Sequence, residues 1–207
     1  MDGPIGQKLL DDFSKANIKA LAFWENGFRN LTNAKGPVKK VEDAKGLKIR
    51  TMENKVHLAA WKAAGLNPTP MTWGEVFTAL QQRVIDGQEN PIAVFYSCKL
   101  WDAGQKFFSL TQHVYSPSQL LMSPKAFNTL PKADQQICVK TALEVAKFQR
   151  KVNRDGEEAK LQEMSKKGVI ITRDVDKESF KKAMMPVYDE FKAQFSKAEI
   201  DNIMNAK

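Results

Sequence analysis

The segment from Gly46 to Pro91 constrains this chain most: it reads as strand, helix, turn, helix, turn, with polar or aromatic side chains at the element ends. Leu47, Ile49 and Thr51 alternate with Lys48 and Arg50, which predicts a short strand closed by Arg50. From about Asn54 to Ala64 the pattern is helical, with Leu58 and Trp61 on one face and Gly65 as the stop. Thr72 and Glu75 have the spacing of a capping box. Val76, Phe77, Leu80 and Val84 then form an amphipathic stripe that Gly87 is expected to end. Asn90 precedes Pro91 and is pushed into an extended conformation. Element ends are where α/β proteins place ligand groups, so Arg50, Trp73 and Asn90 are expected to converge on one spot.

The remaining pattern also alternates strand and helix. A helix is predicted over Pro4 to Ala16, then an apolar strand from Ile18 to Trp24 ending in a turn at Glu25-Asn26-Gly27. Ile92 to Leu100 fits a buried helix or a strand, and periodicity does not choose between them. Phe107 to Tyr115 and Leu120 to Met122 read as two strands. Ser123-Pro124 opens a short helix, and Pro131 begins a long one reaching about Lys167 with an interruption near Gly156. Val169 to Thr172 reads as a strand, and Lys177 to Asn205 as helix with a break at Pro186. This order argues for an α/β fold.

Composition removes several classes of function. No apolar run approaches the roughly 20 residues of a membrane span. Met1-Asp2-Gly3-Pro4 lacks the basic start and apolar block of a signal peptide. Cys98 and Cys138 could form one disulfide or remain two buried thiols, and neither has zinc-ligand spacing with His57 or His113. Each histidine reads as structural or surface, so no metal site and no cofactor are expected. The net charge of +8 raises a basic nucleic-acid-binding module as one alternative. Its basic residues are interspersed with acidic ones, as in Lys39-Lys40 beside Glu42-Asp43, which favours a solvated surface and no nucleic-acid partner.

The words GLKIR, PTPMTW-GEVFTALQ and DGQENP resemble the solute-binding proteins of tripartite ATP-independent periplasmic (TRAP) transporters, of the C4-dicarboxylate type. The resemblance extends through TQHVY (Thr111 to Tyr115) and LPKADQQ (Leu130 to Gln136), and back to DGPIGQKLLDDF and ENGFR. It implies a periplasmic protein with the two-lobe, type II-like α/β fold, and ligand in the cleft between the lobes. The chain begins inside the family pattern. One near-complete lobe, 27–115 with 156–207, is therefore expected beside a remnant of the N-terminal lobe, 1–26 with 116–155.

The resemblance also implies the site. Arg50 matches the arginine that holds the ligand carboxylate, a task suited to a planar fork with two parallel donors. Asn90 matches an asparagine on the same carboxylate, Trp73 an aromatic that closes over the ligand, and Arg29 a second arginine lining the cleft. Without the resemblance, Arg50 reads equally well as a surface ion-pair residue, Trp73 as core and Asn90 as a turn residue. Glu53 is a further loop residue within reach of a ligand, in a segment where the family often carries proline.

The function implied is capture of a small organic acid for delivery to TRAP permease subunits, without catalysis. An enzyme using Asp86, Glu89 and His113 is the rival, disfavoured because Asp86-Gly87 and Glu89 read as turn and capping residues. A chain lacking part of one lobe is also expected to expose apolar surface at Ile18–Trp24 or Leu120–Met122. Homo-oligomer formation or a domain swap, with impaired ligand binding, would follow.

Overall fold

A computed structural model describes residues 1–195 and 197–205. In chain order the first elements are α1 (Pro4–Asp12), β1 (Lys19–Asn33), β2 (Lys48–Thr51), α2 (Lys55–Ala63), β3 (Asn67–Pro70) and α3 (Trp73–Gln81). Next come β4 (Gly87–Pro91), α4 (Ile92–Ser97), β5 (Phe107–Met122), α5 (Pro124–Thr129) and α6 (Lys132–Asp155). The chain closes with α7 (Glu157–Lys166), β6 (Ile170–Thr172), α8 (Lys177–Met184), α9 (Val187–Glu190) and α10 (Lys197–Met204).

These elements form two compact units. One holds residues 28–115 and 157–197, the other 1–27, 116–156 and the described residues from 198 onward. The last stretch, expected with the larger lobe, thus belongs to the smaller unit, where Lys8 on α1 meets Glu199 at 3.4 Å.

The larger unit is built on a sheet with strand order β3-β2-β4-β1-β5-β6. β2 is parallel to both β3 and β4, β4 is antiparallel to β1, and β5 is parallel to β6. Two clusters of buried side chains pack in this unit. Leu31 and Ile49 join Trp61 of α2 and Phe180 of α8 in one, and Val76, Leu80, Phe95 and Met164 from α3, α4 and α7 form the other. α2 begins where Asn54 Oδ1 accepts from the amides of Val56 and His57, and Gly65 follows its end at φ +82°.

Four expectations are corrected here. Asn67-Pro-Thr-Pro70, read as a turn, is the edge strand β3, a position where proline's missing N–H costs no ladder bond. Asp86-Gly-Gln-Glu-Asn-Pro91, also read as a turn, supplies β4 in the middle of the sheet, with all five strand residues buried. α3 therefore stops at Gln81, and Gly87 serves close packing: a Cβ there would lie 2.0 Å from the carbonyl oxygen of Thr32 on β1. Finally, β1 and β5 are each continuous, running through Glu25-Asn26-Gly27 and through Ser116-Pro117.

Helix α6 accounts for the continuity of β1. The Gln149 side-chain amide accepts from Glu25 N at 2.8 Å and donates to Glu25 O at 2.9 Å, standing in for a neighbouring strand. Arg154 Nε and Nη2 grip the Glu25 carboxylate at 2.8 and 2.6 Å.

In the smaller unit Ala22 packs against Ala142 and Ala146 of α6, while Ala20 and Phe23 pack with Leu10. The expected exposed patch on Ile18–Trp24 is thus largely covered, and of Leu120–Met122 only Leu121 is open. Open apolar side chains do line α6, where Ile137 and Phe148 are 61% and 68% exposed beside Val145 and Val152. Both cysteines are free thiols, in different units. Among the described residues no helix is long and apolar enough to cross a membrane.

Gly87→Ala forces backbone apart across the β1–β4 pair, and a loss of at least about 2 kcal/mol is expected. The shift of the chemical denaturation midpoint measures it; an unchanged midpoint would show that the two strands do not approach this closely.

Candidate ligand-binding site

Arg50 lies on β2 opposite Gln88 of β4, so both side chains leave the sheet on the same face. Asn90, two residues along β4, shares that face. The register therefore places the guanidinium and the amide on one face of adjacent parallel strands.

Arg50 is 5% exposed, yet among the described residues it has no carboxylate partner at ion-pair distance. Its Nε donates to Met71 O at 2.8 Å, and its terminal nitrogens find no acceptor among the described residues. Burial pushes the pKa of this group down, partly opposed by the negative charge of Glu89. A buried cation without a counter-ion is costly, and an anion placed here would relieve that cost.

Trp73 stands over the guanidinium, 5.4 Å from ring centroid to Cζ, and is 40% exposed. It is the first residue of α3, fixed by the predicted box in which Thr72 N and Oγ1 both donate to Glu75 Oε2. The aromatic is a partly open cover for the cation, which its ring face attracts. Asn90 is 5% exposed; its Nδ2 donates to Gln88 Oε1 at 2.6 Å and its Oδ1 has no donor among the described residues. Glu53 is exposed in the turn before α2 and touches Arg50 only through its field.

Arg29 is placed differently. It alternates with Asn30, the register partner of Asn90, and so leaves β1 on the opposite face of the sheet. There its Nε donates to Glu89 Oε2 at 2.5 Å, and Nη2 donates to Glu89 Oε1 and to Glu89 O at 2.8 and 2.6 Å. The structure does not bring Arg29 together with Arg50, Trp73 and Asn90 on one face.

Glu89 is fully buried, neither turn nor cap. His113 Nε2 lies 3.0 Å from its Oε2, and His113 Nδ1 lies 2.8 Å from Thr111 Oγ1. The imidazole packs edge-on against Trp61 at 4.7 Å, which makes His113 a structural residue. Burial alone would raise the carboxyl pKa of Glu89, but the hydrogen bonds from His113 and Arg29 overcome it and hold it down at about 2. Burial likewise lowers the pKa of nearby His57.

Sequence reading took Glu89 for a turn or capping residue and passed over Gln88, because a strand made of Gly, Gln, Glu, Asn and Pro has no strand pattern. The only available signal was the extended conformation that Pro91 imposes on Asn90. Among the described residues no group of histidine, cysteine or carboxylate side chains could hold a metal ion.

Arg50 at its strand end, the Trp73 ring and the Asn90 amide thus lie in one α/β unit. Residues 1–194 match the family model DctP, bacterial extracellular solute-binding protein, family 7, and the chain belongs to that family of TRAP solute-binding proteins. Its members are transport proteins, not enzymes. A solute-binding protein of Verminephrobacter eiseniae is 48% identical over 100% of this chain and 62% of its own length. The 2,3-diketo-L-gulonate-binding periplasmic protein YiaO of Escherichia coli is 40% identical over 89% of this chain and 56% of its own. A TRAP periplasmic solute-binding protein from Polaromonas sp. JS666, solved with bound D-erythronate, superposes with a TM-score of 0.96. It is 45% identical, covering 100% of this chain and 68% of that one. The chain thus spans about three-fifths of the length of the curated relatives it matches.

The Glu89 network sets an acid limit. A carboxyl pKa held at about 2, below its usual 4.5, contributes stability that is complete above pH 4.5 and is lost as pH falls through about 2. Glu89→Gln should remove that part of the acid dependence and, by leaving Arg29 buried without a counter-charge, cost about 3 kcal/mol at neutral pH. Denaturation midpoints measured from neutrality to pH 2 test both; parallel curves for the two proteins would contradict the assignment.

Proposed function

We propose that the protein captures a small organic acid in the periplasm and delivers it to the membrane subunits of a TRAP transporter. The observation that carries this reading is the buried guanidinium of Arg50, whose terminal nitrogens have no acceptor, next to Asn90 and beneath Trp73. Two parallel donors from Arg50 fit a carboxylate, and such charge-assisted bonds contribute roughly 1.5–3 kcal/mol each. Two or three of them in a water-poor site reach the roughly −8 kcal/mol of micromolar binding.

Sugar acids are favoured over C4-dicarboxylates as ligands. Arg50 offers one fork for one carboxylate, the number a sugar acid carries. The ligands named for the Polaromonas and E. coli relatives, D-erythronate and 2,3-diketo-L-gulonate, support the same class.

Calorimetry against sugar acids and C4-dicarboxylates tests this. Arg50→Ala is expected to lose about 10- to 100-fold in affinity for the preferred acid, and Arg50→Lys to fall between, having charge but no fork. Stability of the ligand-free protein should change by no more than about 1 kcal/mol in Arg50→Ala, since a cation without a counter-charge is being removed. Equal affinity with and without Arg50 would defeat the site.

The α6 surface supports a second reading, that this chain self-associates with impaired ligand binding. Ile137, Val145, Phe148 and Val152 lie on one stripe of the helix, away from the face that Ala142 and Ala146 bury. In an antiparallel pair of α6 helices, Ile137 of one copy would meet Val152 of the other. Sedimentation analysis should show a dimer that Phe148→Ser dissociates, and a monomer at all concentrations would dismiss it.

A further inference from the structure

After Arg50 and Thr51 the chain turns through Met52 and Glu53 into the cap of α2. This turn is pinned on both sides. Asn54 N donates to Met52 O at 2.7 Å, which closes a three-residue turn with Glu53 at its centre. Beyond it, Asn54 Oδ1 accepts from Val56 N and His57 N at 2.9 and 3.1 Å. Before it, Thr51 O accepts from Met71 N at 3.3 Å, and Met71 is the residue whose carbonyl receives Arg50 Nε. The backbone of Glu53 is thus fixed relative to the guanidinium, although its side chain is exposed. Glu53 follows Arg50 by three residues, so their α-carbons lie at most about 11 Å apart, and the turn shortens that span.

The Glu53 carboxylate has neither a hydrogen bond nor an ion pair with its side chain neighbours among the described residues. Lys55, two positions on in the first turn of α2, does not pair with it. Its charge is nevertheless felt at Arg50, where it opposes the effect of burial. Glu89, the other carboxylate acting on Arg50, is spent on Arg29 and His113 on the opposite face of the sheet. Glu53 therefore puts a free negative charge beside the strand end that carries Arg50. What that charge does depends on the far end of a bound acid. A carboxylate only accepts hydrogen bonds, so a hydroxyl can donate to Glu53. A second carboxylate sets acceptor against acceptor and like charge against like charge. Arg50, once it holds the first carboxylate, no longer offsets the field of Glu53.

We propose that Glu53 is a specificity-determining residue, which rejects diacids by like-charge repulsion and admits acids of the same length whose far end is a hydroxyl. The inference rests on the carboxylate reading of Arg50 and deepens it from one end of the ligand to the other.

The test uses the whole chain and two acids that differ only at the fourth carbon: D-erythronate, which ends in CH2OH, and meso-tartrate, in which that group is a carboxylate. Calorimetry at low ionic strength is expected to show the wild type binding D-erythronate at least about tenfold more tightly. Glu53→Gln keeps the size of the side chain and removes its charge. The preference should then fall to about threefold or less, chiefly through tighter binding of meso-tartrate. Glu53→Lys should bring the two acids level or favour meso-tartrate. Salt supplies a second readout: at about 0.5 M the gap between the wild-type and Glu53→Gln preferences should close, because the charge removed is exposed and screened. A side chain that only held the turn would affect both acids alike at any salt concentration. Equal binding of the two acids by the wild type, a preference unchanged in both variants, or a gap that persists at high salt overturns this inference and leaves the carboxylate reading standing. Failure of the wild type to bind either acid overturns both.

Discussion

A polar strand in the middle of a sheet is the constraint on which this structure depends. β4 carries Gln88, Glu89 and Asn90 where a central strand ordinarily presents apolar side chains, and all three are buried. Each therefore needs a partner. Glu89 takes Arg29 and His113 on one face, and Gln88 and Asn90 join Thr32 and Gln105 on the other. The two faces do different work. One neutralises a buried charge completely, which fixes β1, β4 and β5 in register. The other leaves a cation and a carbonyl unanswered.

That asymmetry is what separates a satisfied structural cluster from the proposed binding site. Arg29 and Arg50 are both nearly inaccessible, but Arg29 has a carboxylate and Arg50 has only a backbone carbonyl and an aromatic ring. A fully satisfied buried pair has little left to offer a ligand. A guanidinium held in place by its Nε and by the ring of Trp73, with its terminal nitrogens open, needs little reorganisation to receive an anion. Preorganisation of this kind limits the entropy cost of binding.

The capping box at Thr72 and Glu75 ties this site to the fold. It sets where α3 begins, and α3 begins with Trp73. Met71, one residue before the box, offers the carbonyl that Arg50 grips. The cover and the anchor of the cation are thus consecutive features of one helix start. The cover is positioned by the local bonds of the box.

The sequence alone determined everything governed by local chemistry. The Arg50 strand, the helix after Asn54, the box at Thr72, the break at Gly156 and the proline-started helix at Pro124 all follow from period, caps and fixed φ angles. So does the extended conformation of Asn90 before Pro91. Tertiary structure decided what depends on partners far away in the chain. Glu25-Asn26-Gly27 has the composition of a turn, but Gln149, more than a hundred residues later, supplies its missing ladder bonds. Gly87-Gln-Glu-Asn-Pro91 likewise becomes a central strand because Thr32, Arg29 and His113 pair with it. Propensity describes a residue against water, whereas these residues answer to buried hydrogen-bond partners that only the folded chain assembles.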